Sequence, residues 1–119
     1  MARTLLATVI LALLSAPAAA QWEGKWGAIA YGGPELAFGI AIDHQTAEEA
    51  RQAALGNCGG RCSRTVAFLR TCAAVAENQA GGSGWASNRW RDRAMARALA
   101  QCRRTGPACA VVAWACTSH

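Results

Sequence analysis

Residues 26–58, WGAIAYGGPELAFGIAIDHQTAEEARQAALGNC, decide the fold, because they place a hairpin, a helix and a cysteine in one run. Two short apolar stretches, Trp26 to Tyr31 and Ala37 to Ile42, are separated by the turn sequence GGPE, which predicts a β-hairpin. The next residues, Thr46-Ala47-Glu48-Glu49, have the pattern of a capping box. We therefore expect a helix that ends at about Cys58, with an apolar face made of alanines.

The same pattern occurs a second time in CAAVAENQAGGSGWASNRWRDRAMARALAQC (72–102), and the shorter run CSRTVAFLRTC (62–72) parallels CAVVAWAC (109–116). We predict a single duplicated domain over residues 21–119, with copy one at about 26–71 and copy two at about 72–117. Its predicted class is α+β: a small, disulfide-stapled domain built from two β-β-α-β units. The strands are expected to form an antiparallel sheet with two helices packed on it.

Aromatic side chains are expected to fill the space around these small alanine faces. As strand residues of a small domain, five of them are predicted to supply much of the core: Trp26, Phe38, Phe68, Trp85 and Trp114. Two tryptophans in less regular surroundings, Trp22 and Trp90, are the better candidates for exposed contact residues.

The first 20 residues have the pattern of a secretory signal peptide. Arg3 precedes the apolar run Leu5 to Leu14, and Ala18-Ala19-Ala20 forms a cleavage site before Gln21. This run is too short to span a bilayer as a mature helix. We therefore expect an exported protein, periplasmic or extracellular, with no transmembrane anchor in the mature chain.

All six cysteines follow this segment, and an even number in a small exported chain favours disulfides. The repeat suggests the pairs Cys58–Cys62, Cys102–Cys109 and Cys72–Cys116. It aligns Cys62 and Cys72 with Cys109 and Cys116, so that each copy would contribute three cysteines and the third bond would join the copies. A zinc site formed by the first four cysteines is a weaker alternative, since the gap before Cys109 is long for a zinc knuckle. A redox-active dithiol is weaker still, because no C-x-x-C motif is present.

Several of these motifs, taken in order, carry a resemblance to a known family. WGAIAYG, AALGNCGGRC, VAFLRTCAAVA, GWAS, ARALAQC and CAVVAWAC resemble the bacterial family "domain of unknown function 4189" over about Trp26 to Thr117. The resemblance implies a small exported α+β domain with an internal duplication and disulfides, and it implies no reaction. Copy two departs from copy one by lacking a clear capping box, because Trp90 stands where copy one has Thr46.

Positive charge is concentrated in copy two. The whole chain has a net charge of +5, of which Arg3 would leave with the signal peptide, and the remaining excess comes from residues 72–119. Arg89, Arg93 and Arg97 are four residues apart and would form a stripe on the second helix. A solvated helix face is the plain alternative. The candidate partner surface comprises Arg89, Arg93, Arg97, Arg104, Trp90 and Trp22.

Catalytic side chains are few. The only histidines are His44 and His119, and Asp43-His44 is interpreted as a turn sequence whose two side chains point to opposite sides. Glu48 and Glu49 belong to a helix start. The remaining acidic residues of the mature chain, Glu23, Glu35, Glu77 and Asp92, are scattered near turns. We predict no catalytic residues, no metal site and no cofactor.

The sequence favours a non-enzymatic exported module, an inhibitor or accessory protein, that binds an unknown envelope or extracellular protein or an acidic glycan. Nucleic acid is an improbable partner, because no nucleic-acid-binding motif is present. One alternative is a small secreted hydrolase acting on cell-wall material, and another is a purely structural envelope protein. A hydrolase needs a cleft with converging histidine, aspartate or glutamate side chains, which we expect to be absent.

Overall fold

The computed structural model of the protein describes residues 24–118, so the predicted signal peptide, Trp22, Glu23 and His119 lie outside the described residues. Six strands and two helices follow one another in this range. In chain order they are β1 (Trp26–Tyr31), a short 3-10 turn (Pro34–Leu36), β2 (Gly39–His44), α1 (Ala47–Asn57), β3 (Arg64–Leu69), β4 (Cys72–Glu77), β5 (Ser83–Asn88), α2 (Arg91–Arg103) and β6 (Ala110–Cys116). Neither helix in residues 24–118 is long and apolar enough to cross a membrane.

The strands form two antiparallel sheets of three strands each. Sheet one has the order β2-β1-β3, and sheet two has the order β5-β4-β6. The α+β class with a repeated β-β-α-β order is confirmed, but the strands divide between two sheets instead of forming one. Each central strand, β1 in sheet one and β4 in sheet two, pairs on both edges with strands of its own copy, and among the described residues no strand of one copy pairs with a strand of the other.

The two sheets pack face to face, and one helix covers the outer face of each. Along β1, Ile29 and Tyr31 face the other sheet, whereas Ala28 and Ala30 face α1. This alternation follows from the two-residue period of a strand. The layer order is therefore α1, sheet one, sheet two, α2. The core between the sheets contains Ile29, Tyr31, Val66, Phe68, Ala73, Val75, Ala113 and Ala115.

Each helix lies close against its sheet because both surfaces are made of small residues. Ala50 and Ala54 of α1 are fully buried, as are Ala94 and Ala98 of α2. Glycines on the edge strands allow the closest approach: a Cβ at Gly39 would collide with the Ala54 carbonyl oxygen, and one at Gly84 would collide with the Ala98 carbonyl oxygen and the Cys102 amide.

The prediction of an aromatic core is wrong in three places. Phe38, Trp85 and Trp114 have 46%, 40% and 42% of their surface exposed. Phe68 is buried between the sheets, and Trp26 is partly buried beside α1. Trp114 pairs with Ala74 and therefore lies on the α2 side of sheet two, where a helix that packs through alanine and glycine leaves no space for its ring. Trp85 pairs with Val75 on edge strand β5 and lies on the opposite face of the sheet, and Phe38 precedes edge strand β2.

Three disulfides join the pairs that the repeat suggested: Cys58–Cys62, Cys72–Cys116 and Cys102–Cys109. All six cysteines lie within the described residues and all of them are bonded in disulfides, so none of them is a free thiol. The first and last bonds are equivalent, since each ties the end of a helix to the loop before the next strand.

The third disulfide does not join the copies, contrary to expectation. Cys72 and Cys116 lie directly opposite one another on β4 and β6, both in copy two, with their Cα atoms 3.8 Å apart. In sheet one the equivalent paired positions are Trp26 and Leu69. Copy one therefore has two cysteines and copy two has four. The prediction was wrong because matching the sequence runs had assigned Cys72 to the end of copy one.

Candidate functional site

The start of α2 lacks the side-chain cap that copy one has. Thr46 accepts a hydrogen bond from the backbone N–H of Glu49 at 3.1 Å, which begins α1. At the equivalent position the Trp90 side chain forms no such bond. The backbone N–H of Trp90 instead donates to Asn88 Oδ1 at 2.9 Å. A tryptophan at the capping position is less favourable for helix stability than a threonine, so Trp90 does not contribute a side-chain cap to α2.

Two arginine–tryptophan pairs lie beside this helix start. The guanidinium carbon of Arg89 is 5.2 Å from the centre of the Trp90 ring, and that of Arg91 is 4.8 Å from the centre of the Trp114 ring on β6. These four residues form what we call the Arg–Trp surface. Trp90 is 54% exposed, and a shallow depression of about 280 Å³ separates it from Trp114.

The structure brings together only part of the predicted arginine stripe. Arg93 and Arg97 lie on the exposed side of α2, whereas Arg89 precedes the helix and Arg104 caps its C-terminal end. Arg89 and Trp90 therefore belong to the Arg–Trp surface, and the other three arginines extend along or beyond the helix.

Sequence reasoning missed Arg91 and placed Trp114 in the core. Both occupy positions where the copies differ: Arg91 replaces Ala47, and Trp114 replaces Ala67, which holds the same place in sheet one. A small residue in one copy and a large or charged one in the other was the signal available in the sequence.

A cleft of about 400 Å³ lies at the opposite end of sheet two from the Arg–Trp surface. One wall comes from the loop after β1 and the start of β3, and the other comes from the end of β4 and the loop to β5. Two acidic residues, Glu35 and Glu77, line this cleft, and its other lining residues include no histidine or aspartate.

Glu77 is the most unusual residue of the cleft. Only 8% of its surface is exposed, and its Oε1 atom has no hydrogen-bond partner among the described residues. Burial raises the pKa of the Glu77 carboxyl, while the backbone of Gly32 and the positive charge of Arg64 act in the opposite direction. No local sequence pattern indicates this burial, because Glu77 stands directly before a turn, where a glutamate is ordinarily exposed.

Polar groups surround Glu77 in the cleft. Arg64 Nη1 donates to Ser83 Oγ at 3.2 Å, which links the first residue of β3 to the first residue of β5. Asn78 Oδ1 accepts from the backbone amides of Ala80 and Gly82 at 3.0 and 2.8 Å, and these bonds shape the turn between β4 and β5. The walls are therefore rich in hydrogen-bonding groups.

Asp43 has a structural partner. Its two carboxylate oxygens accept hydrogen bonds from the backbone N–H and the hydroxyl of Ser118 at 3.0 and 2.9 Å. His44, its neighbour, is half-buried and pairs with Trp26 in sheet one. Within residues 24–118 no group of three or more histidine, cysteine, aspartate or glutamate side chains is arranged to hold a metal ion.

Comparison with known proteins gives three findings. The NMR structure of Rv1813c from Mycobacterium tuberculosis has a similar fold, with a TM-score of 0.57 and 29% sequence identity; the match covers 98% of this chain and 94% of that one. No curated protein matches the sequence. Residues 26–116 match the family described as "Domain of unknown function (DUF4189)". This match spans both sheets, both helices and all six cysteines, and the chain therefore belongs to the DUF4189 family.

Proposed function

We propose that this protein is an exported, non-enzymatic module that binds an acidic partner, a protein or a glycan, through its Arg–Trp surface. The three disulfides are compatible with folding outside the reducing cytoplasm, and the predicted signal peptide supports export. The observation that carries the proposal is the exposure of Trp90 and Trp114, each with an arginine against its ring.

Tryptophan and arginine are the residues most enriched among those that dominate the energy of protein interfaces. A tryptophan ring offers a large apolar area, and the arginine stacked on it supplies charge and fixed hydrogen-bond donors. The guanidinium groups would pair with carboxylates or sulfates of the partner, while the rings exclude water. Arg93 and Arg97 extend the positive field along α2 and would speed the approach of an acidic partner.

Binding to two defined polyanions tests the proposal: heparin as an acidic glycan and poly-glutamate as an acidic polypeptide. The Trp90→Ala/Trp114→Ala variant is expected to bind at least one of them about tenfold more weakly than the wild type. Arg89→Glu/Arg91→Glu is expected to lose binding and most of its dependence on salt. Trp85→Ala is the matched control, since Trp85 is similarly exposed but outside this surface.

An equal loss of binding in Trp85→Ala would contradict the assignment of this surface. Unchanged binding in both Arg–Trp variants would leave the purely structural role as the better proposal. The Arg93→Glu/Arg97→Glu variant separates the contribution of the arginines along α2 from that of the Arg–Trp surface, because it removes positive charge without changing the tryptophans.

The small secreted hydrolase is the second candidate, and the cleft supplies the observation that favours it. Two glutamates line one cavity, and burial raises the pKa of the Glu77 carboxyl, which is the direction that suits a general acid. The test is the release of soluble fragments from purified cell-wall material. Release by the wild type and by Glu49→Gln, but not by Glu77→Gln, would support this function over the binding module.

A further inference from the structure

The cleft at the junction of the two copies is independent of the Arg–Trp surface, and its residues are not used by the proposed partner binding. It has a volume of about 400 Å³, which is within the range typical of sites for small ligands. Segments of both copies form its walls, so it exists only in the assembled duplicated domain.

An acid and a base line this cleft without forming an ion pair. Among the described residues the ion pairs are Arg51–Glu48 and Arg91–Asp92, and neither involves Glu77 or Arg64. The guanidinium of Arg64 donates one hydrogen bond, to Ser83, and has further N–H groups to offer. The Oε1 atom of Glu77 is buried and accepts none.

A buried acceptor without a donor is destabilising by about 1–3 kcal/mol. Beside a cavity, such an atom is a candidate contact for a ligand, because a ligand that donates there relieves this cost on binding. An ammonium group is the donor best suited to a carboxylate, and a carboxylate is the group best suited to a guanidinium. The two protein charges are of opposite sign and separate, which complements a ligand that also carries two separated charges.

We propose that the cleft binds a small zwitterionic ligand with a free amino group and a free carboxylate, of the size of an amino acid or a short peptide. The amino group pairs with Glu77, and the carboxylate pairs with Arg64. The turn after β1 brings backbone groups to the same cavity. Gly32 has φ +86° there, and a Cβ at this position would be 2.8 Å from the Ser63 hydroxyl oxygen.

Titration of the disulfide-intact protein with alanyl-alanine, followed by the amide resonances in ¹H–¹⁵N NMR spectra, tests this proposal. Chemical-shift changes are expected at Gly32, Ser63 and Gly81, with a dissociation constant of about 1 mM or below. N-acetyl-alanyl-alanine lacks the amine and alanyl-alanine amide lacks the carboxylate, and each is expected to bind about tenfold more weakly.

Two variants locate the charges on the protein. Glu77→Gln and Arg64→Gln are each expected to weaken binding of the free dipeptide about tenfold. Glu77→Gln should weaken binding of N-acetyl-alanyl-alanine by less, because that ligand has no amine to pair with Glu77. Arg64→Gln should likewise weaken binding of alanyl-alanine amide by less, because that ligand has no carboxylate to pair with Arg64. The matched controls are Glu49→Gln and Arg70→Gln, which change exposed residues outside the cleft.

Several results would overturn the proposal: no shift changes up to about 10 mM dipeptide, changes centred outside the cleft, or equal binding of the blocked and free dipeptides. The comparison of blocked and free ligands uses the wild-type protein, so it decides the question even if a variant folds poorly.

Discussion

Asp43 holds Ser118, 75 residues further along the chain, through both oxygens of its carboxylate. Lys25 donates to the same serine hydroxyl at 3.2 Å, so the beginning of copy one and the end of copy two meet at this point. Hydrogen bonds from the backbone and side chain of Ser118 hold the pKa of Asp43 below its ordinary value of 3.8.

This contact predicts a loss of stability in acid. A carboxyl whose pKa is lower in the folded state stabilises the fold above its unfolded pKa, and this contribution disappears as the pH falls through the folded value. The urea midpoint of the wild type should therefore fall below pH 3.8 by more than that of Asp43→Asn. Asp92→Asn, the same change at another exposed aspartate, should behave like the wild type.

Glu77 predicts a pH dependence of the opposite sign. Its pKa is raised by burial, so its contribution is complete below the ordinary value of 4.5 and is lost as the pH rises through the folded pKa. Glu77→Gln should lack this loss and be less sensitive to pH above 4.5 in urea unfolding. An identical pH profile in wild type and variant would show that the carboxyl is solvated. Weaker dipeptide binding together with this change would show that the residue serves the ligand at the expense of the fold.

Gly84→Ala should destabilise the domain by about 3 kcal/mol, because the added methyl group would meet the backbone of α2 at Ala98 and Cys102. Gly56→Ala is the control, since nothing lies within 4 Å of a Cβ at that helical position. This second change should stabilise the domain by about 0.5 kcal/mol. Urea unfolding measures both, and a mild effect of Gly84→Ala would mean that the helix can move away from the sheet.

Removal of single disulfides should rank them by the length of chain they close. Cys72–Cys116 closes a separation of 44 residues, and Cys58–Cys62 closes one of 4. In the loop-entropy description these bonds contribute about 4 and about 2 kcal/mol. Paired cysteine-to-serine variants, unfolded in urea without reductant, should reproduce this order. Equal losses would indicate that native contacts, rather than the unfolded chain, determine the contribution.

Much of the local structure could be predicted because its causes are close in sequence. The strand from Trp26 to Tyr31 has the expected bounds, and Thr46 begins α1 through a contact three residues away. The second strand begins at Gly39 and reaches His44, two residues later than predicted at each end. Its alternation of apolar residues did not fix where pairing with β1 starts.

The candidate site was predicted less well. Exposure of Trp90 was predicted from its irregular surroundings and Arg89 was expected on a helix stripe, but Trp114 was assigned to the core, because a tryptophan on a strand is usually buried. Its exposure depends on how closely α2 approaches sheet two, which is set by Gly84 and Ala98. No local pattern in the sequence of β6 predicts the distance between α2 and sheet two.

The sequence by itself determined the repeated order of strands and helices, the cap of α1 and the two short disulfides, because each depends on residues a few positions apart. Tertiary structure decided that the strands form two sheets, that Cys72 and Cys116 lock only the second, and that Glu77 and Arg64 share a cleft. These features arise where the copies meet or where strands far apart in the chain pair. A sequence pattern shows which residues share a face of a strand, but it does not specify which strands or sheets will be brought together.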